Sequence, residues 1–215
     1  MSNIIAKQEA NLGIKLVMPA VGIIALLVLY PILFNGYLSF FHVKLDGEKS
    51  FIAFDNYINL VSNQDFYHAL WTTLIYLIGT VAGATVMGIA VALLMNEDFP
   101  FRNMVRALIL LPYFAPVISV VFGWQFIFDP VNGIYNHLVV EVFGFTDIRH
   151  NLIGEPDSAL FVVIIFDIWK HFPIAFLLVL AKLQSIPRDQ YEAAAIDGYG
   201  PWGRFIHVTL PEIRF

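Results

Sequence analysis

Two opposite charges lie within an otherwise apolar run at residues 159–181. Asp167 and Lys170 are three positions apart, and Trp169 and His171 flank Lys170. In a helix this spacing places the two charges on one side, close enough to form an ion pair. Intramembrane charges are costly and usually face a protein interior or a wet cavity. The cluster fits a polar transport path at Asp167, Trp169 and Lys170, a structural ion pair, or side chains that reach the membrane surface.

A second segment, residues 184–211, has the pattern of two short helices joined by a turn. Pro187 can start the first helix, and Gly198 suits a left-handed stop at its end. Pro201 can open the second helix, whose apolar face at i, i+3, i+4 spacing would be Trp202, Phe205 and Ile206. A membrane bundle has no obvious need for such an element, so the pattern predicts a surface for a partner protein.

Catalytic chemistry has little support in the composition. The chain has 215 residues and no cysteine, which excludes thiol catalysis, disulfides and cysteine-ligated metals. It contains neither the GxxxxGK[ST] pattern of a P-loop nor the HExxH pattern of a zinc site. The net charge of −5 comes without a basic tract typical of nucleic-acid binding. We therefore expect no catalytic residue, no metal, no cofactor and no nucleic-acid partner.

Long apolar runs must position the charged cluster at residues 159–181 and the segment at residues 184–211. The chain is 59% hydrophobic and 13% charged, and the runs at residues 16–41, 69–95, 107–128 and 159–181 are each long enough for the roughly 20 helical residues that a bilayer requires. A soluble protein with buried core helices would need more polar sequence to cover them. The sequence predicts an all-α, polytopic transmembrane helical bundle with four spans.

Small residues and prolines mark two of the spans. Gly79, Gly83 and Gly88 belong to a small-residue track in the second span, which is either a helix-packing seam or the ordinary glycine content of membrane helices. Pro112 and Pro116 should bend the third span. That bend would either border a cavity or be a kink that neighbouring helices tolerate.

The distribution of Lys and Arg predicts the orientation. With the N-terminus in the cytoplasm, eight of these residues lie inside, three lie outside and Lys170 lies within a span, as the positive-inside rule favours. Residues 97–106 and 182–215 are then cytoplasmic, and residues 42–68 and 129–158 face outward.

The segment at residues 184–211 resembles the EAA motif of binding-protein-dependent ABC importer permeases, whose pattern is EAA, two residues, DG, and a later Phe and Leu-Pro. Tyr199 stands where the family usually has alanine. Phe54-Asp55-Asn56-Tyr57 and Arg106-Ala107 before Leu111-Pro112 are similar to patterns of the sugar-type, maltose-type permeases. The matching EAA-motif positions are Glu192, Ala193, Ala194, Asp197, Gly198, Phe205, Leu210 and Pro211.

This resemblance implies a permease subunit in the inner membrane, with the matched positions contacting cytoplasmic ATPase subunits that hydrolyse ATP. The other implied partners are a second permease subunit, an extracytoplasmic solute-binding protein and a sugar or oligosaccharide. The family usually has six spans, so the single domain at residues 1–215 is expected to be C-terminally incomplete. A permease for a non-sugar solute and a secondary transporter that uses Asp167 and Lys170 are the alternatives.

The orientation can be tested directly because the chain has no native cysteine. Single cysteines at Ser50 and Asn151 should react with a membrane-impermeant thiol reagent in intact cells, and a cysteine at Gln190 should react only after the membrane is opened. Labelling of the cysteine at Gln190 in intact cells would overturn the predicted topology.

Overall fold

The structure, a computed structural model, describes residues 2–44 and 46–214, and the side chains of residues 12–44, 46–156 and 158–214. The protein is helical, as its sequence predicts. Strands β1 (Phe41–Val43) and β2 (Lys49–Phe51) form an antiparallel hairpin, and π-helical segments lie at His137–Val142 and Phe205–Thr209. The α-helices are α1 (Ser2–Leu38), α2 (Asp55–Ser62), α3 (Gln64–Asn96), α4 (Arg102–Phe114), α5 (Val117–Ile127), α6 (Ile134–Asn136), α7 (Pro156–Ser185), α8 (Arg188–Ile196), α9 (Pro201–Arg204) and α10 (Leu210–Ile213).

Among the described residues, three stretches of helix are long and apolar enough to cross a membrane: Leu12–Leu38 in α1, Gln64–Asn96 in α3 and Ser158–Ser185 in α7. The α4–α5 pair is a fourth if it counts as one span. The first span ends at Leu38 and not at residue 41 as predicted, because the chain turns there and begins β1.

The predicted third span at residues 107–128 corresponds to the helices α4 and α5. Helices α4 and α5 are separate and bent by 94° relative to each other. Proline disfavours the helical conformation of the residue before it, and Ala115 is accordingly extended, with φ −64° and ψ 138°. Pro112, by contrast, is accommodated inside α4. The sequence predicted a bend, and the structure has a sharp break.

The described residues form two compact units, one up to Ala69 and one from Leu70 onward. The first contains α1, the β1–β2 hairpin, α2 and the first residues of α3. In the hairpin, Phe41 pairs with Phe51 and Val43 with Lys49. Apolar side chains of α1 such as Leu16 and Leu33 are exposed, as expected of a helix surrounded by lipid or by a partner subunit.

In the second unit, the small-residue track of α3 is a packing seam against α7. A Cβ atom added at Gly83 would lie 2.2 Å from Ile168 Cδ1, and one added at Gly88 would lie 2.6 Å from Ala175 Cβ and 2.8 Å from the backbone nitrogen of Phe176. The backbones of α3 and α7 therefore touch at Gly88, with no room for a side chain between them.

The buried core of the second unit lies around the C-terminal half of α7. Phe176 is 1% exposed, and Ala92 on α3 is fully buried. The cluster continues past the end of α7 into the segments at residues 188–213, so that those short helices are seated on α7 by apolar packing. Its buried members are Ala92, Phe172, Phe176, Val179, Leu180, Leu183, Ile186, Ala194, Val208 and Ile213.

This seam predicts different effects for two glycine substitutions. Gly88→Ala should destabilise the protein by about 1–3 kcal/mol, since overpacking displaces neighbouring groups and here the neighbour is backbone. Gly123→Ala in α5 is the control, because a Cβ there has nothing within 4 Å. The control should be neutral or slightly stabilising, since alanine is the better helix former. Thermal unfolding in detergent measures both, and equal transition temperatures would contradict the seam.

Candidate functional site

The first candidate site is the helix–turn–helix formed by α8, α9, the π-helical segment Phe205–Thr209 and α10. Helix α7 ends at Ser185, and α8 begins three residues later with Pro187 as its N-cap. Ile186 and Pro187 are both extended, and the Ile186 side chain is buried. The connection between α7 and α8 is therefore short and packed.

The turn after α8 closes as the sequence predicts. Gly198 has a φ of +85°. Its N–H donates to the Ala195 carbonyl at 3.1 Å, and the Tyr199 N–H donates to the Ala194 carbonyl at 2.9 Å. These are the paired hydrogen bonds of a Schellman motif, which satisfies the carbonyls at a helix C-terminus. The left-handed stop at Gly198 is thus confirmed, and Tyr199, the departure from the EAA pattern, takes part through its backbone.

The second arm folds back on α8. The Tyr191 hydroxyl lies 3.1 Å from Thr209 Oγ1, and Gln190 Nε2 donates to Glu212 at 3.2 Å. The ring centroids of Tyr199 and His207 are 4.5 Å apart. These contacts close the two arms into one compact element.

The matched positions of the element divide by burial. Ala194 is 7% exposed and packs into the core, whereas the side chain of Glu192 is exposed. Phe205 is partly buried and stacks on Trp202, with ring centroids 5.4 Å apart. The other matched positions, which are Ala193, Asp197, Gly198, Leu210 and Pro211, are exposed.

Sequence reasoning missed Ile196. It is 86% exposed and lies one turn after Glu192 on the same face of α8. Trp202, at 72% exposed, adds a second large apolar surface to the element. The alanine-rich sequence suggested only a good helix former, and nothing in it distinguished an outward Ile196 from a core residue.

An open cleft separates this element from the end of α3. Its volume is about 730 Å³, and residues lining it include Leu93, Glu97, Tyr191 and Phe205. A more polar cavity of about 520 Å³ adjoins it. Arg204 lines both, and its Nε atom is buried without a hydrogen-bond partner among the described residues.

The second candidate site is the charged cluster of α7. Lys170 is 6% exposed, and its Nζ donates to the carbonyls of Pro112 at 2.7 Å, Tyr113 at 3.1 Å and Ala115 at 2.7 Å. In a continuous helix the Pro112 carbonyl would accept from the residue four positions on, which is Pro116 and has no N–H. Lys170 supplies the missing donor and closes the C-terminus of α4.

Asp167 has other partners. It accepts a hydrogen bond from the Tyr76 hydroxyl of α3, and its Oδ1 lies 3.3 Å from His171 Nδ1. An Asp167–Lys170 ion pair does not form among the described residues, so that interpretation of the spacing is wrong. Asp167 is hydrogen-bonded to α3 and Lys170 to α4, so contacts with neighbouring helices, not the spacing along α7, determine the partners of the two charges.

The residues around Asp167 line a small cavity of about 300 Å³ between α3 and α7. Its polar side chains are Thr80, Thr85, Asp167 and His171. Trp169 instead packs against Trp124 of α5, with ring centroids 5.7 Å apart. The three positions predicted to line a path, Asp167, Trp169 and Lys170, therefore meet three different environments. Tyr76 and Thr80 were missed because nothing in α3 alone indicates which helix it faces.

No group of three His, Asp or Glu side chains with metal-binding geometry occurs in the part of the chain that the structure describes. The chemistry of the two candidate sites is that of hydrogen bonding to a polar solute and of contact with another protein.

The structure is that of a helical membrane protein with a compact helix–turn–helix next to its last described span. The family profile described as binding-protein-dependent transport system inner membrane component matches residues 84–215. The chain belongs to this family of ABC importer permeases, as its EAA-like segment predicted. Membership removes the support for an ion-coupled secondary transporter.

Two relatives and one solved structure illustrate the likeness. The chain is 37% identical to the inner membrane ABC transporter permease protein YcjO of Escherichia coli (strain K12), over 96% of this chain and 71% of that one. It is 32% identical to the trehalose/maltose transport system permease protein MalF of Thermococcus litoralis, over 96% of this chain and 70% of that one. A bacterial ABC transporter involved in the import of the acidic polysaccharide alginate shares the fold, with a TM-score of 0.79 and 23% sequence identity. The match covers 99% of this chain and 71% of that one.

The role of Lys170 can be tested with a matched lysine of the same helix. Lys170→Met should destabilise the protein by about 1–3 kcal/mol, because buried carbonyl oxygens lose their donor. Lys182→Met, in the last turn of α7 and partly exposed, should change the transition temperature little. Combining Lys170→Met with Asp167→Asn should give nearly additive losses, since the two residues share no partner. If the double variant lost much less stability than either single variant, the Asp167–Lys170 ion pair would be supported after all.

Proposed function

We propose that this chain is the permease subunit through which a binding-protein-dependent importer moves a sugar or oligosaccharide across the inner membrane. Separate cytoplasmic ATPase subunits hydrolyse the ATP. The observation that carries the proposal is the helix–turn–helix of α8–α10, which is closed by its own hydrogen bonds and seated on α7.

The ATPase-binding surface is the outward face of this element. Glu192 and Ile196 project from one face of α8, and Trp202 adds an exposed ring. Exposed apolar groups of this size together usually mark an interface. Glu192 supplies a negative charge that would meet a basic residue of the ATPase. Ala193, Asp197, Gly198, Phe205, Leu210 and Pro211 shape the element, and Ala194 anchors it.

Movement of the ATPase subunits would reach the membrane through α7. The packed connection at Ile186 and Pro187 leaves little slack between α8 and α7. Lys170 then ties α7 to the break between α4 and α5 through three hydrogen bonds. A tilt of the helix–turn–helix would therefore move α7 and α4 together. Alternating access in transporters depends on such rigid-body movement of groups of helices.

The cargo would pass the cavity at Asp167. Its carboxylate, the Thr80 hydroxyl and the His171 ring can replace the water bound to a hydroxyl-rich solute. Trp169 contributes through the aromatic cluster with Trp124, and Lys170 contributes indirectly by holding α4. The trehalose/maltose assignment of the Thermococcus litoralis relative supports a sugar as cargo, with a non-sugar solute as the alternative.

The complete transporter would contain a second permease subunit, two ATPase subunits and an extracytoplasmic solute-binding protein. The family's description as binding-protein-dependent supports the last of these partners. The excess of Lys and Arg in residues 97–106 and 182–215 supports a cytoplasmic N-terminus and a cytoplasmic helix–turn–helix. The chain would then act as one permease domain whose outer loops lie on the side of the membrane where the binding protein docks.

Two substitutions test the coupling element in the transporter expressed with its partner subunits. Gly198→Ala should weaken ATPase association, because a side chain in the left-handed region costs about 1–2 kcal/mol and would misdirect the second arm. Gly200→Ala is its control, since both positions have open space for a Cβ and only Gly198 has a positive φ. Glu192→Lys should weaken association by reversing the charge that the ATPase meets.

The readouts are co-purification of the ATPase subunits and cargo-stimulated ATP turnover. Asp147→Lys, an exposed charge reversal in the outer loop at residues 129–158, is the control for the effect of Glu192→Lys on co-purification. Wild-type values of both quantities for Gly198→Ala and Glu192→Lys would show that α8–α10 is not the coupling element.

A further inference from the structure

The segment between the first two spans contains a short helix whose apolar face is uncovered. Helix α2 follows the β1–β2 hairpin and precedes α3 by a single residue, Asn63. Phe54, Ile58 and Val61 lie at i, i+4, i+7 spacing and are 63%, 60% and 59% exposed. Asp55 and Asn59 lie on another side of the helix. The helix is amphipathic, and its apolar stripe touches little of the protein.

Hydrogen bonds hold α2 at the end of the first span. Asn56 Nδ2 donates to the Ser39 carbonyl at 2.8 Å and to the Phe41 carbonyl at 3.2 Å. The Tyr57 hydroxyl lies 2.7 Å from Ser39 Oγ. Since α1 ends at Leu38, these bonds place α2 within one side chain of the point where the first span stops. The start of α3 at Gln64 places its other end at the second span.

Aromatic rings surround this attachment. Phe40 is in edge contact with Phe54 at 5.5 Å between ring centroids, and Phe41 with Phe51 at 5.3 Å. The Lys49 ammonium lies 5.8 Å from the centroid of the Phe34 ring in the last turns of α1. Aromatic rings and lysines are typical of the boundary between hydrocarbon and water. The hairpin and α2 together have the composition of that boundary.

The charges distinguish lipid from a soluble partner. Within α2 the one Asp, Glu, Lys, Arg or His residue is Asp55, at the first position and off the apolar stripe. A soluble binding protein would meet a polar rim around an apolar centre. The stripe of Phe54, Ile58 and Val61 instead belongs to a helix that is hydrogen-bonded to the end of α1, and apolar side chains of α1 such as Leu33 are also exposed. A position beside the end of a membrane span favours lipid.

We propose that α2 is an interfacial helix, which lies in the headgroup region with Phe54, Ile58 and Val61 directed toward the acyl chains of the bilayer. Its partner is the lipid surface. The helix fixes the depth at which α1 stops and α3 starts, since an amphipathic helix in this region resists both insertion and withdrawal. This proposal depends on α1 and α3 crossing the membrane and is independent of the importer's cargo and of ATPase docking.

Fluorescent labels can locate α2, because the chain contains no native cysteine. Single cysteines at Ile58 and Val61 on the apolar stripe, and at Asn59 and Ser50 as exposed controls, are labelled with an environment-sensitive dye. The assembled transporter, with partner subunits that carry no reactive cysteine, is reconstituted in vesicles of phosphatidylcholine and phosphatidylglycerol. Quenching is measured with nitroxide-bearing lipid and separately with aqueous iodide.

Labels at Ile58 and Val61 should be quenched several-fold more strongly by the nitroxide lipid than the labels at Asn59 and Ser50, and iodide should give the reverse order. Iodide quenching at Ile58 that disappears when the solute-binding protein is added would overturn the proposal in favour of a protein partner. Labels at Ile58 and Val61 that neither quencher reaches would overturn it in favour of a contact within the transporter. Each variant's ATPase co-purification confirms that the labelled protein is assembled.

Discussion

The hydrogen bonds of Lys170 to the end of α4 are the interaction on which the arrangement of the second unit depends. A buried ammonium is costly unless its donors are used, and an unpaired carbonyl inside a membrane is costly as well. The Pro112 carbonyl has no helical donor, because Pro116 four positions later lacks an N–H. One lysine resolves both costs, because its Nζ meets three carbonyl oxygens at once. The break between α4 and α5 and the position of α7 are thereby set together.

The same physical requirement recurs at other helix ends. Arg106 on α4 donates through Nη2 to the Met95 carbonyl in the last turn of α3 at 2.7 Å, and Gly198 closes α8 by backbone hydrogen bonds alone. Cations near helix C-termini also interact favourably with the helix dipole. The closures by Lys170 and Arg106 each join a helix end to a neighbouring helix, so α3, α4 and α7 are connected at helix ends as well as along the seam at Gly88. We expect such a group to move as one body, which the proposed coupling to ATPase subunits would require.

Much of the fold and part of the candidate sites could be predicted from the sequence, for reasons that differ from residue to residue. The helical fold followed from apolar length, and the turn at Gly198 followed from a glycine placed after a good helix former. The break at Ala115 was underestimated because a proline's neighbour is restricted to extended geometry only as a tendency. The partners of Asp167 and Lys170 were not predictable, since spacing along one helix brings them together while Tyr76 and the Pro112 carbonyl lie on other helices. The exposure of Ile196 also depends on which face of α8 packs on α7.

The direct backbone contact at Gly88 joins helices that are far apart in the chain, with α4 and α5 made between them. During synthesis α3 therefore enters the bilayer without the neighbour that its glycines are shaped to receive. Helix α7 arrives later with a charge that membrane insertion disfavours by about 3 kcal/mol at a helix centre. By then its carbonyl acceptors on α4 have already been made, and so has the groove on α3. The order of the segments in the chain thus lets the charged span α7 enter after α3, α4 and α5, into a site that these earlier segments provide.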